Sequence, residues 1–250
     1  MSRTSVRVGG LHAVASLLAR DSTRVRRLWV RAGREDDRLA ALLAMAESTG
    51  IPVERVARER LDSLAGLTSH QGVVAELAPA PPRGEAELEA CLDALAKPPL
   101  LLILDGVQDP HNLGACLRTA DAAGVDAVIV PKDRSAGLTA VVRKVASGAA
   151  EVVPLFQVTN LARCLRALRD RGIWLYGAAG EAEQSLYRTD LTGPLGLVLG
   201  SEGKGLRRLT REHCDALVRI PLFGSVASLN VSVAAGVLLF EARRQRSPDI

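Results

Sequence analysis

Three stretches of the chain carry side chains suited to chemistry as well as to packing. The first, Asp105-Gly106-Val107-Gln108-Asp109-Pro110-His111-Asn112, is polar and longer than a structural strand-to-helix turn requires. It feeds a helical pattern whose apolar stripe is Leu113, Cys116, Leu117 and Ala120. Arg118 falls off that stripe, one turn beyond Gly114, which has no side chain to block approach. The second, Gly200-Ser201-Glu202-Gly203-Lys204-Gly205-Leu206, places three glycines in six residues, so its backbone can come close to a ligand. It is no Walker loop, because Gly205 and not Ser or Thr follows Lys204, and G-x-G-x-x-G is absent. Glu202 sets it further apart: a carboxylate repels phosphate and suits a hydroxyl, amine or cation. The third, Ile220 through Phe223-Gly224-Ser225-Val226-Ala227-Ser228-Leu229-Asn230, opens a long apolar helix. Ser228 suits its N-cap, whereas Asn230 stands one turn in, where packing alone does not explain a polar side chain. The structural alternatives are a plain N-cap for Asn112 and an exposed helix arginine for Arg118.

The elements that must position these loops alternate. Near-continuous apolar runs predict strands at 100–104, 127–130, 151–155, 173–178, 195–199 and 216–220. Helical spacing predicts helices at 112–123, 138–147, 161–171 and 229–245, with Gly124, Gly148 and Gly172 where helices terminate. Apolar strands between helices imply an α/β fold, a parallel sheet with helices on both faces, whose ligand site lies beyond the carboxyl ends of the strands. A smaller α/β unit precedes it, with helices near 11–18 and 38–48 and strands at 27–30 and 73–77. The Pro-rich run from Ala78 to Gly84, the short acidic piece from Glu85 to Ala96 and Lys97-Pro98-Pro99 read as a linker with a helical turn or two in it. The expected division is therefore 1–78, a linker at 79–98, and 99–250.

Composition narrows the function classes. The chain is 48% hydrophobic and 24% charged, as globular proteins are. No apolar run approaches the roughly 18 residues of a membrane span, and Met1-Ser2-Arg3-Thr4 lacks a secretory apolar stretch, so a cytoplasmic location is expected. Cys91, Cys116, Cys164 and Cys214 are widely spaced, as are His12, His70, His111 and His213, which predicts neither a disulfide framework nor a metal site. The net charge of +4 permits a nucleic-acid partner. The basic run Arg20, Arg24, Arg26, Arg27, Arg31 and Arg34, opposed by Asp21, offers phosphate-binding forks, although a solvated face would collect charge in the same way.

Taken together, N-L-G-A-C-L-R, G-S-E-G-K-G-L and I-P-L-F-G-S-V-A-S-L-N-V-S-V-A resemble, in order and spacing, the three signature motifs of the SpoU (TrmH-type) RNA 2′-O-ribose methyltransferases of the SPOUT superfamily. The strings L-D-G-V-Q-D-P-H-N-L-G-A-C-L-R-T-A-D-A-A-G-V and R-R-L-T-R-E-H-C-D are most similar to bacterial members that methylate a guanosine in the peptidyl-transferase P loop of 23S ribosomal RNA. The resemblance implies S-adenosyl-L-methionine as cofactor, a C-terminal trefoil knot and a homodimer through the knot region. It implies Asn112, Arg118, Glu202, Ser228 and Asn230 as catalytic residues, and Gly200, Ile220 and Leu229 as backbone contacts to the cofactor. Gly10-Leu11-His12-Ala13-Val14 resembles the family's RNA substrate-binding domain, which directs attention to Arg24, Arg26, Arg27 and Arg31 as RNA contacts. The alternatives are a tRNA ribose methyltransferase with the same catalytic domain and a non-catalytic RNA-binding assembly factor. A guanidinium holds its proton up to a pKa above about 12, so the expected role of Arg118 is to clamp phosphate and steady a developing alkoxide, not to act as a base.

Overall fold

The structure, a computed structural model, describes residues 6–65, 70–78 and 83–247. In chain order its first elements are β1 (Val6–Gly9), α1 (Leu11–Asp21), β2 (Val25–Arg31), α2 (Asp37–Ser48), β3 (Val53–Val56), α3 (Arg58–Ala65), β4 (Val73–Leu77) and α4 (Glu85–Asp93). There follow β5 (Leu100–Asp105), α5 (Pro110–Ala122), β6 (Ala127–Pro131), α6 (Ala140–Ala146), α7 (Ala149–Val152), β7 (Leu155–Val158) and α8 (Leu161–Asp170). The last are β8 (Trp174–Ala178), β9 (Gln184–Ser185), β10 (Leu195–Gly200), α9 (Arg208–Glu212), β11 (Ala216–Arg219) and α10 (Val231–Arg246). Two compact units result, one of Met1–Pro81 with Ser147–Val152, the other of Pro82–Ala146 with Val153–Ile250.

The smaller unit is a sheet of order β1-β4-β2-β3, antiparallel except for the β2–β3 pair. Leu28, Val30, Val73 and Ala75 alternate onto the face that packs on Leu17 of α1 and Leu39 and Leu42 of α2. Trp29 and Val74 point to the other face, where Leu61 and Leu64 of α3 cover them. β3 and α3 were not legible in the sequence, because Val53 to Arg55 at the sheet edge are all exposed and show no alternation.

The larger unit is a seven-stranded parallel sheet of order β7-β6-β5-β10-β8-β11-β9. β5 and β6 are buried along their whole length, the signature of strands covered on both faces. Leu101 and Ile103 join the core under α8, with Leu161, Leu165 and Leu168. On the other side α5 packs against α6 and α10. The parallel α/β architecture is thus the one the alternating pattern predicts.

Two expectations need correction. The run 151–155 is no strand: Ala149–Val152 is a helical turn of the smaller unit, and the strand begins only at Leu155, after Pro154. Proline imposes an extended backbone on the residue before it and so separates the two states. The proposed linker is also too long. Residues 79–82 lie outside the described set, but Glu85–Asp93 forms α4, whose Leu88, 3% exposed, belongs to the core under α8. Glu87 closes the start of α4 by accepting from Gly84 N at 2.9 Å. The acidic composition of this helix hid a single buried leucine. Leu88→Ala should therefore cost the larger unit about 2–4 kcal/mol in urea unfolding of the full chain; a loss below about 0.5 kcal/mol, as at a surface site, would return 85–93 to the linker.

Candidate active site

The three chemical loops emerge at the C-terminal ends of β5, β10 and β11 and meet at the start of α10. Asp109 caps α5: its Oδ1 accepts from His111 N at 2.9 Å, and Pro110 occupies the first turn. Asn112 is therefore not the cap. It lies inside the first turn, only 8% exposed. α10 is capped not by Ser228 but by Asn230, whose Oδ1 accepts from Ser232 N at 2.9 Å and Ser232 Oγ at 2.6 Å. The other end of the same carboxamide joins the remaining loops. Asn230 Nδ2 donates to Asn112 Oδ1 at 2.9 Å and to Glu202 Oε1 at 2.5 Å. Both amide hydrogens and the amide oxygen of Asn230 are thus engaged.

The glycine loop takes its shape from the same need for close approach, though the neighbour is its own backbone. A Cβ on Gly200 would lie 2.0 Å from the carbonyl carbon of Gly205, so the loop folds back only with glycine there. Gly205 N donates to Ser201 O at 2.9 Å, and Gly205 itself has φ +62°, a conformation that costs glycine little. Gly114 likewise has a structural task. A Cβ there would meet Val145 Cβ at 2.7 Å and Val142 O at 2.8 Å, so its bareness admits α6 and not a ligand.

A cleft of about 450 Å3 opens beside this junction, lined by Asn112, Glu202, Val231 and the loop from Asp105 to Asp109, with Arg134, Lys204 and Arg207 adding positive charge. Sequence reasoning gave no individual role to Asp105, Arg134 or Arg207. Asp105 ends β5 with no side-chain exposure and accepts from Arg207 N at 3.1 Å and from Arg207 Nε at 2.5 Å. A carboxylate at the carboxyl end of a buried strand was the available signal. Beneath the site, burial and, secondarily, the Glu202 carboxylate push the Cys116 thiol up to about 12. It stays neutral near pH 7 and is no nucleophile. Among the described residues no group of three or more His, Cys, Asp or Glu is placed to hold a metal.

The remaining expected residues are not at the junction. The Arg118 side chain is exposed, does not line the cleft and makes no hydrogen bond among the described residues. Ser228 sits in an exposed loop whose Phe223 is 97% exposed. Gly200, Ile220 and Leu229 occupy the same carboxyl edge of the sheet, where Ile220 and Leu229 are half-buried apolar side chains.

In the smaller unit the basic residues divide. Arg24 is largely consumed by structure, donating to Glu151 Oε2 at 2.9 Å and to Ala78 O at 3.4 Å. Arg26 and Arg31 are exposed. Arg27 lies 5.8 Å from the Trp29 ring centroid, and Arg7, not singled out from the sequence, lies 5.7 Å from it. The two arginines flank Glu76 in one cross-strand row, a register that only pairing of the short strand β1 creates. The side chain of Arg20 lies outside the described set.

Asn230→Asp keeps a capping oxygen but loses both donors and sets a second carboxylate against Glu202. Amide exchange over 201–206 should accelerate about ten-fold, equivalent to roughly 1.4 kcal/mol, while the first turn of α10 stays protected. Unchanged exchange in the loop would show that the carboxamide does not hold it.

Comparison with known proteins agrees with this geometry. The model of the SpoU rRNA Methylase family matches residues 99–240, and that of the RNA 2′-O ribose methyltransferase substrate binding family matches residues 7–83. The chain is 60% identical over 241 residues to the 23S rRNA (guanosine-2′-O-)-methyltransferase RlmB of Pseudomonas putida, covering 96% of each chain. It is 56% identical over 246 residues to the protein of that name from Xanthomonas campestris, covering 98% of this chain and 99% of the relative. An AdoMet-bound rRNA methyltransferase from Sinorhizobium meliloti superposes with a TM-score of 0.68 at 26% identity, covering 96% of this chain and 87% of that one. With its three loops joined through Asn230 and its fold and sequence matched along nearly its whole length, the chain belongs to the SpoU rRNA methylase family.

Proposed function

We propose that the protein transfers a methyl group from S-adenosyl-L-methionine to the 2′-hydroxyl of a guanosine in 23S ribosomal RNA, in the peptidyl-transferase P loop. The observation that carries this reading is the Asn230 carboxamide, which binds Asn112 and Glu202 together at the mouth of a polar cleft in a chain of this family. The residues present suit the cofactor. Half-buried Ile220 and Leu229 offer apolar contact to a purine, and exposed Glu202 offers a carboxylate to a cationic ligand. Bound there, S-adenosylmethionine supplies an electrophilic methyl carried on a sulfonium.

The protein's own part is placement and charge. With one oxygen held by Asn230, Glu202 keeps acceptor capacity at the other for a ribose hydroxyl or a water. Asn112, fixed by the same amide, lines the cleft beside it. Arg118 clamps an RNA phosphate through its planar fork and steadies the oxygen as its proton departs, and that proton passes to the phosphate or to water near Glu202 and Ser228. Since Arg118 is exposed and outside the cleft of its own chain, it serves the cleft of a second copy in a homodimer joined through the C-terminal region. A trefoil knot in that region is part of the same reading. In its support, β10 and β11 flank β8, and α10 returns to pack on β10 and α5. The smaller unit contributes RNA affinity through Arg26, Arg27 and Arg31, with Arg24 confined to a structural bond. The setting is the bacterial cytoplasm; no helix among the described residues is long and apolar enough to cross a membrane.

The test is to map 2′-O-methyl groups on unmodified 23S ribosomal RNA after incubation with the purified chain and S-adenosylmethionine. One new 2′-O-methylguanosine in the P loop is expected; base methylation, or modification of tRNA alone, would overturn the reading. Arg118→Ala should lose about 100-fold or more in rate with calorimetric cofactor affinity unchanged, and should regain activity when mixed with Asn230→Ala. Collapse of cofactor binding would make Arg118 a structural residue instead.

A further inference from the structure

The most deeply buried charge at the cleft belongs to a residue with no assigned role. Asp105 ends β5 with a side chain that has no solvent exposure, yet it is a carboxylate, and one left unpaired there would be strongly destabilising. Among the described residues its carboxylate is held by Arg207. Arg207 donates to it through its backbone N at 3.1 Å and through Nε at 2.5 Å, and a second guanidinium nitrogen completes the ion pair. The backbone bond is the informative one, because it ties the carboxylate to the path of the main chain as well as to a long side chain. Asp105 is also the register partner of Gly200 across the β5–β10 pair. One residue therefore stands beside the first residue of the glycine loop and grips Arg207, which follows its last. Between those ends the loop is closed by the Ser201–Gly205 bridge, and Glu202 projects from it to Asn230.

Charge adds a second reason. Arg207 and Glu202 line the same cleft. With Asp105 in place the guanidinium is satisfied at the strand end. Without that charge, the carboxylate of Glu202, five residues away on the same loop, becomes an alternative partner for Arg207 and is drawn off Asn230.

We propose that Asp105 is the positioning residue of this active site, holding Arg207 so that the loop presents Glu202 to Asn230 and not to Arg207. It touches no reacting atom and acts through Glu202. The inference rests on the reading of Glu202 as part of the methyl-transfer site, so the test separates the two. Single-turnover methyl transfer to 23S ribosomal RNA is measured for the full chain as Asp105→Asn, as Glu202→Gln and as the double variant, with the RNA KM and the thermal midpoint alongside. Asp105→Asn should slow the chemical step about 10- to 100-fold, as small misplacements do, with the RNA KM within about two-fold. In the Glu202→Gln background the same change should cost almost nothing, because the group it positions is already gone. Penalties that multiply, or a wild-type rate for Asp105→Asn, overturn the proposal and leave the site reading standing. A wild-type rate for Glu202→Gln brings down the site reading and this inference with it. Should Asp105→Asn fail to fold, Arg207→Lys loosens the grip from the other side while keeping the charge, and the same loss of effect in the Glu202→Gln background is required.

Discussion

The candidate site depends on one carboxamide with no spare hydrogen-bonding capacity. Asn230 caps α10 with its oxygen and spends both amide hydrogens on Asn112 and Glu202. Those acceptors come from the first turn of α5 and from the glycine loop, segments that follow two strands adjacent in the sheet but far apart in sequence, β5 and β10. The arrangement converts the order of a parallel sheet into proximity. Every strand delivers its following loop to the same edge, and the carboxamide fixes three of them against one another. Asparagine alone among the small polar side chains brings two donors and an acceptor at this reach, and neither Ser nor Asp carries the donors and acceptor needed for the same set of bonds.

The surroundings make that geometry affordable in physical terms. Glycine at 200 lets the Glu202 loop double back to within contact of its own backbone, and the buried Asp105 carboxylate takes up the charge of Arg207 at the loop's far end. Glycine at 114 brings α6 close against α5, the helix that carries Asn112. The fully buried β5 supplies the rigid base on which these loops stand. Rigidity of this kind is what an in-line methyl transfer asks of a protein, since the electrophile brings its own reactivity and the remaining barrier is largely one of placement.

Much of this was legible in the sequence, because the period of apolar residues reports burial directly: the parallel sheet, its main helices and the three loops all follow from it. What was misread followed from decisions made by neighbours. Asn112 and Ser228 have cap chemistry, yet Pro110 moved one helix start forward to Asp109, and the other start fell at Asn230. Gly114 looked like room for a ligand and is room for a helix. Arg118, one turn beyond Gly114 on the same helix as Asn112, lies outside the cleft that Asn112 lines. The Asp105–Arg207 bond spans 102 residues, and no local pattern announces a contact of that range.

The central claim, that one amide holds the three loops, is open to direct observation in the side-chain amide of Asn230 by 15N NMR. The account predicts a proton pair protected from water exchange, one proton shifting in Asn112→Ala and the other in Glu202→Gln. An amide that exchanges like those of exposed asparagines, or is indifferent to both substitutions, would contradict it.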